Sequence, residues 1–347
     1  MSCERFLKGL YHLETQLYDS TPAKKSYSRV GLALFVFTLV TIVTQLVIGG
    51  VYAALVAVNP ALGELGWLRW IVNFAPIYVI GVPCGLLVMR GAEVCKTEEE
   101  KMTFGRFVMF FFICLPIMYV GNIIGNIFSS IISGGTAVNP LEKLAFDNSI
   151  MKVLVVAVAA PVFEELMFRR LIVDHTIRYG EPAAIIFSGV AFGFFHMNFF
   201  QFFYAFGLGC LFAYVYVRTR KLRWSIILHV IINFMGSVIA PALLSGLDLE
   251  LLSDPGAVAN LSEEALMEIA PAMLGYFAYT GFILTGSVVG LVLIITRWKK
   301  LHFNRMPEEM PRDTVFRTAY LNPGAILFYA VCFIMIVLNL VLPFIQG

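Results

Sequence analysis

Charge is scarce in this chain. Asp, Glu, Lys and Arg make up 14% of 347 residues and hydrophobic residues 59%, against about 25% charged and 45–50% apolar in an ordinary soluble domain. That balance excludes a soluble globular protein. Cysteine is sparse as well: Cys3, Cys84, Cys95, Cys114, Cys210 and Cys332 are scattered without CxxC spacing, which excludes a disulfide framework and a zinc-finger cluster. There is no Walker loop, no dinucleotide fingerprint and no internal repeat of the kind that builds two-fold transporters. The net charge of +2 gives no ground for a nucleic-acid partner. Between residues 246 and 271 there is no Lys or Arg, whereas six acids fall there, Asp248, Glu250 and Glu268 among them.

What remains is long apolar runs. A hydrocarbon core about 30 Å thick takes roughly 20 residues of helix per crossing. On that scale the sequence predicts an all-α, polytopic integral membrane protein with about nine transmembrane helices, near 31–57, 68–89, 107–133, 151–174, 183–197, 202–217, 224–245, 272–296 and 323–345. Pro76, Pro83, Pro116, Pro161 and Pro241 lie inside these spans, where each removes a backbone donor and bends its helix. Basic residues sort by alternate segments: 22 of the 25 fall in 1–30, 90–106, 169–182, 218–223 and 297–322. The positive-inside rule then puts the N-terminus in the cytoplasm and the C-terminus outside. No cleavable leader is expected, because some 30 mostly polar residues precede the first span. Within them Phe6, Leu10, Leu13 and Leu17 share one helix face, as in an amphipathic helix lying on the inner leaflet.

The sequence divides into a cytoplasmic amphipathic segment (1–30), N-terminal spans (31–149), a polar-motif core (150–245), and an acidic outer loop with the last spans (246–347). Ser262 is placed to cap a short outer helix in that loop.

The core raises the chemical question. "AAPVFEELMFRRLI", Ala159 to Ile172, sets Glu164 and Glu165 side by side in an apolar stretch, where an ionised carboxylate is costly unless paired or hydrated. Glu165 has Arg169 four residues on, on the same face, an ion pair that fixes the helix. Glu164 points about 100° away and needs its answer from another helix. Candidates follow: His196 in "FGFFHMNFF", four residues after Phe192, and then His229 and Asn233, at i and i+4 in "WSIILHVIINFMG". A carboxylate in an apolar pocket suits general acid–base work, an imidazole beside it can share a bound water, and a second His with an Asn amide can donate to a developing oxyanion. That set is sufficient to hydrolyse an amide without a covalent intermediate. No Ser stands in a Gly-x-Ser-x-Gly setting.

The ordered set Glu164-Glu165-x-x-x-Arg169, Phe192-x-x-x-His196 and His229-x-x-x-Asn233 resembles the CPBP intramembrane proteases, a family that includes the CAAX prenyl endopeptidases and bacterial Abi proteins, some tied to bacteriocin immunity. The resemblance covers roughly 150–245. It implies that Glu164 and His196 position and activate water, that His229 and Asn233 form the oxyanion site, and that Glu165 and Arg169 hold the helix in shape. It implies a glutamate route with no metal cofactor, although a zinc site from Glu164, His196 and His229 is chemically admissible. Arg170, a second basic residue after the motif Arg, is a departure, and the flanking spans carry no motif. The expected partners are a peptide or membrane-protein substrate and the lipid bilayer. The expected location is a bacterial cell membrane, with the site open to the cytoplasmic side through an aqueous cavity. Two other readings compete: a non-catalytic scaffold or immunity-type protein that keeps the polar cluster for structure, and a small-solute or proton pathway.

One tension stands in this reading. Two crossings between Pro182 and Arg218 leave arms of about 15 and 16 residues, some 22–24 Å each, short of the ~30 Å core. Counted from the helix ends, Glu164, His196 and His229 fall at depths from about 8 to 20 Å. Tilted or broken helices are needed to bring them level, and Gly189 and Gly193 offer the close approach. Gly121 and Gly125, beside Asn122 and Asn126, are expected to pack helices.

Overall fold

The computed structural model describes residues 18–139, 150–245, 247 and 262–346. The amphipathic pattern of residues 6–17 and most of the acidic loop lie outside the described residues. Within the described residues the chain is helical and has no strand. The main helices are α1 (Thr21–Val58), α2 (Gly66–Val88), α3 (Phe104–Ser133), α4 (150–176), α5 (Glu181–Phe195), α6 (Phe199–Thr219), α7 (Leu222–Leu244), α8 (Glu263–Arg297), the short α9 (Arg312–Ala319) and α10 (Pro323–Gln346).

Seven of these, α1, α2, α3, α6, α7, α8 and α10, are long and apolar enough to cross a membrane. The other two expected spans are helical but differ in kind. Helix α4 carries Glu164, Glu165, Arg169 and Arg170. Helix α5 has 15 residues, about 22 Å. The second arm of the hairpin, α6, is longer than its sequence suggests: 21 residues, about 31 Å. The apolar pattern understates it because Gln201 and Arg218 mark its ends as polar.

Proline explains much of the irregular geometry. Three helices widen into a π turn that ends two residues before a proline: the N–H of Val82 bonds Ile77 O, that of Ala160 bonds Val155 O, and that of Ala240 bonds Met235 O, each five residues back. Pro83, Pro161 and Pro241 come directly after those three donors. A proline ring in a regular helix collides with the carbonyl four residues earlier. Widening the preceding turn moves that carbonyl aside, so the helix bends without breaking. A fourth π turn, over Leu166–Leu171, has no proline and follows directly on the two glutamates.

Glycines set the closest helix crossings. A side chain on Gly189 would meet Cys210 Sγ, and would come within 2.9 Å of Phe206 O on α6. One on Gly125 would lie 2.6 Å from Phe199 O and Phe200 O, and one on Gly121 2.6 Å from the Tyr204 backbone. Both expected glycine pairs therefore pack helices, and Asn126 Nδ2 bonds its neighbour Asn122 Oδ1 at 3.0 Å. Small residues let backbones touch where lipid supplies no hydrophobic drive between helices. The core that results joins α1, α4, α5 and α10 through Tyr27, Phe37, Phe168, Phe187 and Phe328. A second cluster joins α3, α6 and α7 through Cys114, Phe212 and Leu228. Leucines and valines such as Leu46, Val58 and Val288 point outward.

The five basic segments meet on one face. Arg29 donates to Val88 O and Arg90 O. Arg178 pairs with Glu93 at 2.7 Å, and His302 Nε2 lies 3.0 Å from Glu100. Arg218 bridges Glu100 and the buried Glu181. The 89–103 and 301–311 segments thus strap the ends of α4, α5 and α6, with Cys95 N on Asp174 O at 2.8 Å and Met310 N on Tyr179 O at 3.0 Å. Ser262 accepts from Ala265 N at 3.2 Å, but the helix it caps is not a separate short outer one: it runs on unbroken as the 35-residue α8.

Candidate active site

Helix α4 delivers both glutamates from a single regular turn, Ala160–Glu165, with a π turn on either side. Such turns recur at functional sites because they redirect side chains within an intact helix. The two carboxylates meet different surroundings. Glu165 is fully buried: its Oε1 lies 2.9 Å from Arg169 Nη2 and 3.0 Å from His229 Nδ1. Arg169, also fully buried, lays its guanidinium 4.5 Å from the centre of the Phe192 ring and 5.5 Å from that of Phe212. Such cation–π contacts strengthen where water is excluded. Glu164 keeps 18% of its side-chain surface exposed, and its Oε2 lies 3.5 Å from His229 Nε2. The cross-helix answer that Glu164 lacks in its own sequence neighbourhood is His229.

His229 is therefore held between the two glutamates. Phe192 meets it edge-on at 5.6 Å, and Phe212 lies 5.1 Å away on a tilt. The geometry restricts its protonation. A carboxylate already paired with Arg169 is an acceptor, so Nδ1 must carry the hydrogen. In a neutral ring Nε2 would then present a lone pair to Glu164, and two lone pairs repel. The contact is favourable only with one further proton, either on Nε2 as imidazolium or on Glu164 as carboxylic acid. A group that holds one proton between a carboxylate and an imidazole can take up or release it during a reaction.

His196 ends α5. Its Nδ1 lies 2.8 Å from Phe192 O, which as a carbonyl only accepts, so Nδ1 donates and Nε2 is left with its lone pair. Its ring packs edge-on to Phe192 at 4.8 Å. Phe192 thus touches both histidines and Arg169. Asn233 lies one turn beyond His229 and donates through Nδ2 to Val156 O at 3.0 Å, in the first π turn of α4. That uses one of its two amide hydrogens. Of the six residues singled out in the sequence, Glu164, Glu165, Arg169 and His229 form one contact chain. His196 joins through Phe192, and Asn233 anchors α7 to α4.

Two residues escape the sequence reading. Tyr78 on α2 stacks on Phe163, next to Glu164, at 4.7 Å, and nothing in its local pattern marks it. Asn339 on α10 donates to Met197 O at 2.9 Å, directly after His196. Its signal was available, since it is an amide in a run of Ile, Val and Leu. Among the described residues no three His, Cys, Asp or Glu side chains are grouped so that they could hold a metal ion.

Residues 146–235 match the family model described as Type II CAAX prenyl endopeptidase Rce1-like. No curated protein and no solved structure matches the chain. The matched segment holds α4, α5, α6 and most of α7, with all six motif residues. The chain is an integral membrane protein whose motif-bearing segment is similar to the Rce1-like type II CAAX prenyl endopeptidases.

Proposed function

We propose that the protein is an intramembrane glutamate-dependent endopeptidase, in which Glu164 is the general base and acid and His196 shares the attacking water. The observation that carries this reading is the division of labour within one helix turn. Glu165 is neutralised by Arg169 and His229, while Glu164 is partly open and faces an imidazole. A scaffold has no use for a second carboxylate left in that state.

The steps balance without a co-reactant. Water donates one hydrogen bond to Glu164 and the other to the His196 Nε2 lone pair. As its oxygen attacks the scissile carbonyl, a proton passes to Glu164 and the carbonyl becomes an oxyanion. His229, charged and anchored through Nδ1 to Glu165, donates Nε2–H to that oxyanion, and the free amide hydrogen of Asn233 donates beside it. Collapse of the tetrahedral intermediate breaks the C–N bond, and Glu164 returns its proton to the leaving amine. The products are a new carboxylic acid and an amine, the acid's proton passes to the amine to give carboxylate and ammonium, and the enzyme regains its starting protonation. No step calls for a metal cofactor. The face that gathers the basic segments is assigned to the cytoplasm, and the site opens toward it.

The test uses the full chain in liposomes with a fluorogenic peptide whose farnesylated cysteine precedes three residues, together with its unprenylated twin. The expected result is cleavage that chelator leaves intact and that Glu164→Gln lowers by about 10²–10⁴-fold. Equal cleavage by parent and variant removes Glu164 from the chemistry. Loss of parental activity with chelator, restored by added Zn²⁺, replaces the metal-free route.

A further inference from the structure

The tip of the α5–α6 hairpin consists of His196, Met197 and Asn198. Met197 is left-handed, with φ of 54°, a region that a side-chain-bearing residue occupies only where its surroundings hold it there. A tight turn between two helices also frees backbone carbonyls from helical partners, and those shielded from water must be bonded some other way. Two side-chain amides do this. Asn198 Nδ2 donates to His196 O at 2.6 Å, and Asn339 Nδ2 donates to Met197 O at 2.9 Å. Asn198 is itself fixed, accepting from Gln201 N at 2.9 Å and donating to Gln201 Oε1 at 2.8 Å.

These two amides differ in origin. Asn198 is local to the hairpin. Asn339 comes from α10, more than 100 residues beyond the segment that matches the family model. It is the only amide side chain between Asn322 and Gln346, in a stretch reading "VCFIMIVLNLVLP". A polar side chain there opposes insertion and needs a compensating use. Its partner carbonyl belongs to the residue after His196, in the one turn that decides where the His196 ring points once α5 has ended.

We propose that Asn339 is a positioning residue for His196: by holding the Met197 carbonyl it keeps the left-handed turn closed, and so keeps the imidazole aimed at the water shared with Glu164. The assignment rests on the reading of Glu164 and His196 as the water-activating pair. Asn339 touches neither reacting atoms nor substrate. It acts through the backbone of the tip, clamping it from a helix that is packed against α1 by the contact of Gly324 with Ser28 O.

The experiment compares the parent, Asn339→Leu and Asn339→Gln in liposomes with the farnesylated fluorogenic peptide, reading kcat and KM separately, with Tm measured on the same preparations. Leu removes the donor and favours insertion, whereas Gln keeps an amide. The expected result for Asn339→Leu is a kcat lower by roughly 3- to 30-fold, the range of one intramembrane hydrogen bond. KM should stay within about twofold, because an interaction serving only the chemical step leaves substrate binding alone. Asn339→Gln should recover most of the loss. A kcat for Asn339→Leu within twofold of the parent overturns the assignment. So does a loss that Gln fails to relieve, or one that falls on KM or tracks a lowered Tm. Glu164→Gln run in parallel separates the two readings: if it retains activity, the water-activating pair itself fails. If it is inactive while Asn339→Leu is unimpaired, only the positioning role fails.

Discussion

Removing the Glu165 carboxylate is the sharpest test of how the site is held. Its Oε1 receives Arg169 at 2.9 Å and His229 at 3.0 Å, and the Arg169 and Glu165 side chains are fully buried. At that separation the Coulomb attraction is about 6 kcal/mol with an effective dielectric of ~20, and burial of both ions cancels much of it. The net worth of the pair is therefore small, but the cost of breaking it is not. Glu165→Gln leaves a guanidinium buried against Phe192 and Phe212 without its bonded counter-charge, which destabilises by about 3–5 kcal/mol. Arg169→Met leaves the carboxylate with His229 alone and has a similar cost. The double variant Glu165→Gln/Arg169→Met removes both charges at once, and its deficit should shrink to about 1–3 kcal/mol, because the Gln amide oxygen still accepts from His229 but without the charge that strengthens the bond. Equilibrium unfolding in mixed micelles, read by tryptophan fluorescence, gives the three values and the coupling between them. If the double variant is as unstable as the sum of the singles, the two side chains do not share one interaction and the anchoring argument is wrong. Cleavage adds a second readout: with a neutral amide in place of the carboxylate that supports a charged His229, the double variant should stay folded yet remain well below parental kcat.

Other expectations follow from the same geometry. Gly189→Val should destabilise by about 1–3 kcal/mol or more, because Phe206 O, a backbone atom, cannot yield. Gly50→Ala, with open space around it, should be neutral or stabilising by up to ~1 kcal/mol in the same unfolding assay. Partial burial raises the Glu100 carboxyl, but hydrogen bonds from Arg106 and His302, with the charges of Arg106 and Arg218, outweigh it and hold its pKa below the ordinary glutamate value. A depressed carboxylate stabilises the fold above its unfolded pKa, and that contribution fades as pH falls through the folded one. The parent should therefore lose more stability than Glu100→Gln on acidification below about pH 4.5, and equal losses would remove Glu100 from the strap. For orientation, Gly63→Cys and Lys299→Cys in a cysteine-free background should react with impermeant maleimide on intact cells and only after permeabilisation, respectively. The reverse pattern would invert the topology.

The seven apolar helices were legible from hydropathy alone, and the order of Glu164, His196, His229 and Asn233 was legible as motif. Three features were not. The widened turns before Pro83, Pro161 and Pro241 have the composition of ordinary helix, so only backbone geometry reveals them. The spread in depth between Glu164 and His229 came from counting straight helices inward from their ends, yet the two side chains lie 3.5 Å apart. Last, the bond from His229 to Glu165 depends on how α7 crosses α4. Sequence spacing fixes neighbours within a helix but carries no record of crossings between them.

The π turn over Val153–Ala159 has a consequence for how this helix tolerates change in length. It holds one residue more than a regular turn would need, so a single deletion there could be absorbed as plain α-helix with the span intact. Because the widened turn takes in its extra residue with no added rotation, the side chains downstream would keep nearly the phase they have now, and Glu164 and Glu165 would still face α7. A second deletion, with no widened turn left to absorb it, would rotate both glutamates by about 100° and break the meeting with His229.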